Sequence, residues 1–184
     1  MFLIDSSTHV SPEDWELQKQ LVKSLAYHFN VSGSGPRAST VKYASDAETV
    51  ANFTDSNFIE KLENAAPLRQ PRRFDNVIYH AARLINITKQ RRGPVLVILL
   101  TGGRQDRVSV SVHLDNAVKA LRMNGARTYV VAIGRRASHS YLVPLVSRDQ
   151  DIFSINKSTY LPVVAKSLAM NIRTLFGKNF CLTY

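Results

Sequence analysis

Short apolar runs alternate with longer amphipathic segments along the whole chain. The runs at 2–5, 95–101 and 127–133 are mostly apolar, as in strands that are buried on both faces of a parallel sheet. Between them, apolar residues recur every three or four positions, which is the period of an amphipathic helix. This alternation predicts βαβ units and a mostly parallel sheet with helices on both faces.

The same patterns predict the remaining elements. Strands at 38–44 and 48–53 flank Ser45-Asp46-Ala47 as a hairpin, and a short strand lies at 151–154. We predict helices at 11–29, 55–65, 74–89, 108–124, 138–147 and 159–176. The expected architecture is a doubly wound, Rossmann-like α/β fold. Its six-stranded sheet is mostly parallel and has one antiparallel edge strand.

Two of the apolar runs end abruptly in small or oxygen-bearing residues. Residues 2–8 read Phe-Leu-Ile-Asp-Ser-Ser-Thr, and residues 96–103 read Leu-Val-Ile-Leu-Leu-Thr-Gly-Gly. Ligands of doubly wound sheets bind beyond the carboxyl ends of the strands, so we expect both endings to meet there, together with the loops at 68–74 and 134–139. Asp5 supplies one carboxylate, but Gly102 stands where a second would complete an oxygen-ligand metal site.

Size and composition indicate one domain over residues 1–184. The chain has 184 residues, of which 45% are hydrophobic, enough for one substantial core. No apolar run approaches the roughly 18–20 residues that a membrane span needs, and no secretory signal is visible. Because the sequence opens directly inside a strand, we expect it to be a module of a longer multidomain protein.

The net charge indicates the type of binding partner, and the cysteine content limits the possible disulfides. The chain has 24 Lys and Arg against 14 Asp and Glu, a formal charge of +10, which favours anionic partners. Its single cysteine, Cys181, cannot form an internal disulfide. It is either an inert thiol or one half of a disulfide to a cysteine outside this chain.

The order and spacing of four stretches resemble a von Willebrand factor type A domain. They are Phe2-Leu3-Ile4-Asp5-Ser6-Ser7, Tyr43-Ala44-Ser45-Asp46, Val97-Ile98-Leu99-Leu100-Thr101-Gly102-Gly103-Arg104 and Val130-Val131-Ala132-Ile133-Gly134. The resemblance runs from end to end and is strongest to A domains of extracellular-matrix proteins such as the collagen type VI α3-like chains. It implies a secreted, non-enzymatic interaction or assembly module of the extracellular matrix, with matrix proteins and neighbouring modules as partners.

Domains of this family often carry a metal-ion-dependent adhesion site (MIDAS). It is built from an Asp-x-Ser-x-Ser stretch, a distant threonine and a Thr-Asp-Gly stretch, whose oxygens hold Mg²⁺. Here His9 stands at the second serine, Phe74 aligns with the distant threonine and Gly102 replaces the aspartate. The resemblance therefore implies a vestigial site made of Asp5, Ser7, His9, Phe74, Thr101 and Gly102.

Loss of three oxygen ligands predicts a domain without a metal cofactor. The alternative is a functional Mg²⁺-dependent adhesion domain that binds collagen or another matrix protein, with Asp75 or Asp106 supplying a missing oxygen. A second alternative is a purely structural spacer in a tandem array of modules.

Arginines cluster in the loops assigned to the same edge of the sheet. They are Arg69, Arg72, Arg73, Arg104, Arg107, Arg135 and Arg136. Guanidinium groups match the geometry of carboxylates and sulfates, so this ring could bind a sulfated glycosaminoglycan or an acidic matrix partner. The alternative is an ordinary solvated surface. The predicted partners do not include nucleic acid, and no membrane span is predicted.

Short sequence motifs bear on glycosylation and on catalysis. Asn-x-Ser/Thr sequons occur at Asn30, Asn52, Asn86 and Asn156 and would be glycan acceptors in a secreted protein. Asn52 is the least suitable because it falls inside a predicted strand. No phosphate-binding loop, dinucleotide fingerprint, nucleophile elbow or paired metal ligands are found, so we predict that the chain is not an enzyme.

Overall fold

The computed structural model describes residues 1–31, 35–88, 94–104, 111–134, 137 and 139–176. Five residues from the predictions above lie outside these ranges: Asp106, Arg107, Arg135, Arg136 and Cys181. The roles predicted for them therefore stay predictions.

Six strands form one sheet. They are β1 (Phe2–Asp5), β2 (Thr40–Tyr43), β3 (Ala47–Ala51), β4 (Val95–Thr101), β5 (Ala126–Ile133) and β6 (Ile152–Ile155). The strand order is β3-β2-β1-β4-β5-β6. Every neighbouring pair is parallel except β2 and β3. The predicted sheet with one antiparallel edge strand is confirmed.

The helices alternate with these strands as predicted. They are α1 (Pro12–His28), α2 (Phe58–Glu63), α3 (Phe74–Ile87), α4 (Ser111–Met123), α5 (His139–Leu142) and α6 (Leu161–Phe176). Short 3₁₀ turns occupy Val143–Leu145, Asp149–Asp151 and Ser158–Tyr160. Among the described residues, no helix combines the length and apolar character needed to cross a membrane.

Three predicted elements are clearly shorter or more broken than expected. The helix predicted at 55–65 covers only the six residues of α2, Phe58–Glu63. The strand predicted at 48–53 stops at Ala51, and the Asp55 carboxylate accepts a hydrogen bond from Asn52 N at 2.7 Å in the turn that follows. The helix predicted at 138–147 is one turn of α5 and a 3₁₀ turn containing Pro144. Proline donates no backbone hydrogen bond and disfavours a continuing α-helix.

The core has two layers, one on each face of the sheet. Alternate residues of a strand point to opposite faces. Accordingly, Ile4 and Leu100 belong to the layer that includes α1 and α6, whereas Leu3 and Leu99 belong to the layer with α3 and α4. Burial on both faces explains why the central strands are apolar at nearly every position.

Topology brings the ends of β1 and β4 together. The two strands are parallel neighbours, with Leu3 paired to Leu99, so two residues further on Asp5 stands beside Thr101. The sheet reverses its order of winding between these strands, which is where such folds place their ligands. We call this edge, formed by the residues beyond the carboxyl ends of the parallel strands, the rim.

Candidate functional site

The centre of the rim is the carboxylate of Asp5, which is fully buried. Its Oδ1 accepts a hydrogen bond from Ser7 N at 3.0 Å. Its Oδ2 accepts one from Gly102 N at 3.0 Å and a longer one from Thr101 Oγ1 at 3.3 Å. The predicted meeting of the two strand ends is therefore present in the structure.

Arg72 places its guanidinium directly on this carboxylate. Arg72 Nε lies 2.5 Å from Asp5 Oδ2, and Nη1 donates to the carbonyl oxygen of Arg104 at 2.9 Å. Arg72 is only 3% exposed. The prediction that Arg72 belongs to a surface ring was wrong, because its side chain turns inward to neutralise a carboxylate that would otherwise be buried without a counter-charge.

Three backbone hydrogen bonds hold the loop that carries Arg72 against the sheet. Thr8 N donates to Gln70 O at 2.9 Å, and Arg69 N donates to Ser6 O at 2.8 Å. Arg73 N donates to Ala44 O at 3.0 Å, just beyond the end of β2. These bonds fix the path of the loop over the ends of β1 and β2, so Arg72 is aimed at Asp5 by its backbone.

Phe74 does not contribute to this site. It is the first residue of α3 and is 1% exposed, and its ring centroid lies 6.1 Å from that of Tyr43 in the core layer beneath α3 and α4. The loop residue that reaches Asp5 is Arg72.

Gln18 is a site residue that the sequence reasoning missed. It is 1% exposed on α1. Its Nε2 donates to Asp5 O at 2.8 Å, and its Oε1 accepts from Asp5 N at 2.8 Å. The signal was available: Gln18 occupies the apolar stripe that continues through Leu21 and Leu25, where a polar side chain needs a partner.

The remaining predicted oxygen ligands are only partly arranged for a cation. Ser7 is fully buried, and in the described part of the chain its Oγ has no hydrogen-bond partner. Thr101 Oγ1 also lies 3.0 Å from the carbonyl oxygen of Gly103, which competes with Asp5 Oδ2 for the single hydroxyl proton. His9 is exposed on the rim. Tyr43, the last residue of β2, is buried.

Tyr43 is a neutral hydrogen-bond donor at this edge. Its hydroxyl donates to Leu100 O at 2.9 Å. Burial, followed by the negative charge of Asp5, raises the pKa of Tyr43 well above its usual value. The phenol therefore stays protonated at neutral pH and braces the sheet beneath the site.

Among the rim arginines within the described ranges, Arg69 and Arg104 remain exposed. Arg69 Nη1 donates to Val10 O at 2.7 Å, and the Arg104 guanidinium lies 6.0 Å from the ring centroid of Tyr141. Arg73 differs because it is paired with Asp75 through contacts of 3.1 and 2.6 Å. The exposed part of the predicted ring is thus smaller than the sequence indicated.

As arranged, these residues do not fit a Mg²⁺ ion. Such an ion requires a nearly octahedral shell of oxygens, but the Asp5 carboxylate already holds the Arg72 guanidinium. Two like unit charges about 4 Å apart repel by about 4 kcal/mol at an effective dielectric constant of about 20. The Asp75 carboxylate, predicted as an alternative ligand, is paired with the Arg73 guanidinium.

A sequence profile of the von Willebrand factor type A domain matches residues 1–165. The chain belongs to this family. It is 23% identical over 192 residues to the human collagen alpha-6(VI) chain, covering 98% of this chain and 8% of that protein. It is 27% identical over 146 residues to human matrilin-4, covering 73% of this chain and 22% of that protein. Both relatives are extracellular-matrix proteins, and this chain spans less than a quarter of either.

Solved structures confirm the fold. Proximal thread matrix protein 1 from the mussel byssus superposes with a TM-score of 0.80 at 16% identity, covering 91% of this chain and 46% of that one. Another structure of that protein, with a zinc-occupied MIDAS motif, has a TM-score of 0.77 at 15% identity over 91% and 46% of the two chains. A von Willebrand factor type A structure from Catenulispora acidiphila has a TM-score of 0.73 at 14% identity, over 91% and 41%.

Proposed function

We propose that this chain is a secreted, non-enzymatic interaction module of the extracellular matrix that works without a metal ion. The observation that carries the proposal is the Arg72–Asp5 ion pair, which engages the carboxylate that the family resemblance assigns to the metal ion. The likeness to collagen VI and matrilin-4 supports the matrix setting. Partners are then matrix proteins, glycosaminoglycans or neighbouring modules of the same protein.

The rim is the binding face in this proposal. Arg69 and Arg104 are its exposed arginines within the described ranges, and Tyr141 presents a half-exposed ring beside Arg104. Exposed arginine and tyrosine are enriched at the energetic centres of interfaces, and guanidinium groups favour carboxylate or sulfate partners. Together with the net charge of +10, they support an acidic ligand such as a sulfated glycosaminoglycan.

Heparin-affinity chromatography tests this face. The double variant Arg69→Glu/Arg104→Glu should elute at clearly lower salt than the wild type, because it reverses two rim charges. Lys119→Glu/Lys166→Glu is the matched control, since it makes the same change in net charge at exposed positions of α4 and α6. If both double variants shift elution equally, retention depends on overall charge and the rim proposal fails.

Thermal melting tests the independence from metal. A ligand that binds the native state raises its melting temperature, so the wild type should melt at the same temperature in excess Mg²⁺ and in excess EDTA. A melting temperature that rises with Mg²⁺ concentration would establish the cation-dependent adhesion domain instead. Failure to bind heparin or any matrix protein, with unchanged melting, would favour the spacer.

We also propose N-linked glycans at Asn30, Asn52, Asn86 and Asn156. All four side chains are exposed, which the modification requires. The objection to Asn52 disappears because β3 ends at Ala51 and Asn52 begins a turn.

A further inference from the structure

We infer that the Arg72 guanidinium is a built-in replacement for the divalent cation and that Gly102 belongs to the same replacement. The inference deepens the metal-independent function proposed above and rests on it. It treats the inward-turned Arg72 and the glycine at position 102, where the family pattern has an aspartate, as one structural change. It also makes the site a latent cation site, since most of its frame is retained.

Arg72 connects the ends of two strands. Its own loop at 68–73 is bonded to Asp5, the last residue of β1, and to the carbonyl oxygen of Arg104 in the loop after β4. A cation held between Asp5 and the loop after β4 would join the ends of the same strands. Arginine stays charged at all physiological pH values and is covalently attached, so this link persists when no ion is available.

Position 102 has little space for a side chain. A Cβ atom at this position would lie 3.3 Å from Arg72 Nη2 and 4.0 Å from Asp5 Oδ2. The first separation is tighter than ordinary contacts, so an aspartate or any other side chain here would press on the guanidinium. Glycine at position 102 removes the carboxylate that the family pattern has there. It also leaves room for the Arg72 guanidinium, which balances the charge of Asp5 in place of a cation.

Oxygen-bearing groups remain around the guanidinium. Asp5 is still fully buried, and the buried hydroxyls of Ser7 and Thr101 are still present beside it. In the described ranges Ser7 Oγ lacks a hydrogen-bond partner, although buried hydroxyls are normally satisfied. Removing the guanidinium therefore exposes a carboxylate and two hydroxyl oxygens, which are groups that Mg²⁺ and Mn²⁺ bind.

The decisive experiment is thermal melting of Arg72→Ala with and without Mg²⁺ or Mn²⁺. The variant should melt below the wild type in EDTA and recover part of the loss when either metal is added. The wild type should not respond. An Arg72→Ala variant that folds but melts identically with and without both metals would overturn the latent site.

Arg127→Ala is the matched control for loss of a buried ion pair. Arg127 Nη2 lies 2.8 and 3.0 Å from the carboxylate oxygens of the fully buried Asp151, at the opposite edge of the sheet from the rim. This variant should also melt below the wild type, but no metal should restore it. Equal metal responses in the two variants would show non-specific ion binding and would count against the inference.

A double-mutant cycle tests the link to Gly102. Gly102→Ala should lower the melting temperature of the wild type, because its Cβ meets Arg72 Nη2. The same change should lower it less in the Arg72→Ala background, where the neighbour is gone. Additive effects would show that Gly102 and Arg72 are unrelated.

Asp5→Asn/Arg72→Ala covers the case in which Arg72→Ala alone fails to fold. If the pair acts as a unit, neutralising Asp5 should restore folding without any metal response, and a double variant that stays unfolded would overturn the inference. These outcomes are separate from the proposed function. That function fails if the wild type itself responds to Mg²⁺, whereas the inference fails on the variants.

Discussion

Asp5 is held twice, once by its backbone and once by its side chain. Gln18 closes two hydrogen bonds of 2.8 Å onto the backbone of Asp5, and Arg72 holds the carboxylate. The backbone position of Asp5 therefore depends on Gln18, and its charge is balanced by Arg72. At the residue scale, the site is a satisfied polar network inside an apolar core, so removal of any member leaves buried groups without partners.

Gln18→Leu should lower the free energy of unfolding by roughly 2–4 kcal/mol. It leaves both Asp5 N and Asp5 O without their partner, at about 1–3 kcal/mol for each buried unsatisfied group. Urea denaturation measures the loss, and hydrogen exchange at the Asp5 amide should accelerate. Gln20→Leu is the control because Gln20 is exposed on the same helix. A comparable loss of stability in that variant would refute the role of the two Gln18–Asp5 hydrogen bonds.

The Arg73–Asp75 pair predicts a loss of stability in acid. Burial raises the pKa of Asp75, but the hydrogen bonds and charge of Arg73 outweigh it, so the net pKa is lowered. A carboxyl with a lowered pKa in the folded state stabilises the protein fully above its unfolded value of about 3.9. That stabilisation is lost as the pH falls through the lower folded value.

Asp75→Asn should cost roughly 1–3 kcal/mol at neutral pH, and its difference from the wild type should shrink as the pH is lowered from about 5 towards 3. Chemical denaturation at a series of pH values measures this difference. Asp115→Asn, at an exposed position of α4, should show a smaller and flatter difference. A gap that stays constant down to the lowest pH would contradict the assigned linkage.

At the scale of elements, the edge strand β6 depends on a charged cluster before it. Its four residues follow the 3₁₀ turn Asp149–Asp151. The fully buried Asp151 accepts hydrogen bonds from Arg127 on β5, and from Arg148 at 2.9 Å. Because β6 is so short, it forms few backbone hydrogen bonds with β5. The charged cluster therefore fixes the residue at which the pairing of β6 with β5 begins.

Asp151→Ala should therefore destabilise the domain by roughly 3 kcal/mol, because it leaves two arginines without their shared carboxylate. Hydrogen exchange should also show faster opening of the β6 amides than of the β4 amides. The control is Asp149→Ala, which removes an exposed carboxylate from the same turn. Equal destabilisation by the two variants would exclude a special role for the buried cluster.

For the whole molecule, topology separates three of the four sequons from the rim. Helices α1 and α3 begin at the rim and return to the opposite edge, where Asn30 and Asn86 lie. Strand β3 is antiparallel to β2 and ends beside Thr40, so Asn52 lies at that opposite edge too. Asn156 differs, since it follows β6 at the rim edge, where Gly134 N donates to Ile155 O at 2.8 Å.

Material secreted from animal cells should carry glycans that a peptide N-glycosidase removes. Each asparagine-to-glutamine change at a sequon should reduce the glycan mass, whereas Asn116→Gln, an exposed asparagine outside any sequon, should not. Asn156→Gln should strengthen retention on heparin because its glycan lies nearest the rim, and changes at the other three sequons should leave retention unaltered. Secreted protein without glycans would contradict the glycosylation proposal.

The sequence alone determined the fold and the location of the site. Apolar runs such as 95–101 and the helical periodicity between them are local patterns, and a parallel sheet leaves few ways to connect them. The strand endings at Asp5 and Thr101 could therefore be placed side by side without coordinates. Element ends were less certain where a turn intervened, as at Asn52, because caps and turns depend on single hydrogen bonds.

Only the tertiary structure decided what fills the site. Asp5 and Arg72 are 67 positions apart, and Arg72 stands in a loop with no periodicity to indicate which side chain turns inward. The inward turn follows from long-range backbone bonds, such as that from Arg69 N to Ser6 O, and from the cost of burying a lone carboxylate. The backbone bonds and the cost of burial arise only in the assembled core, and no local segment of the sequence contains them. For this reason Arg72, which was expected on the surface, is the counter-ion of Asp5.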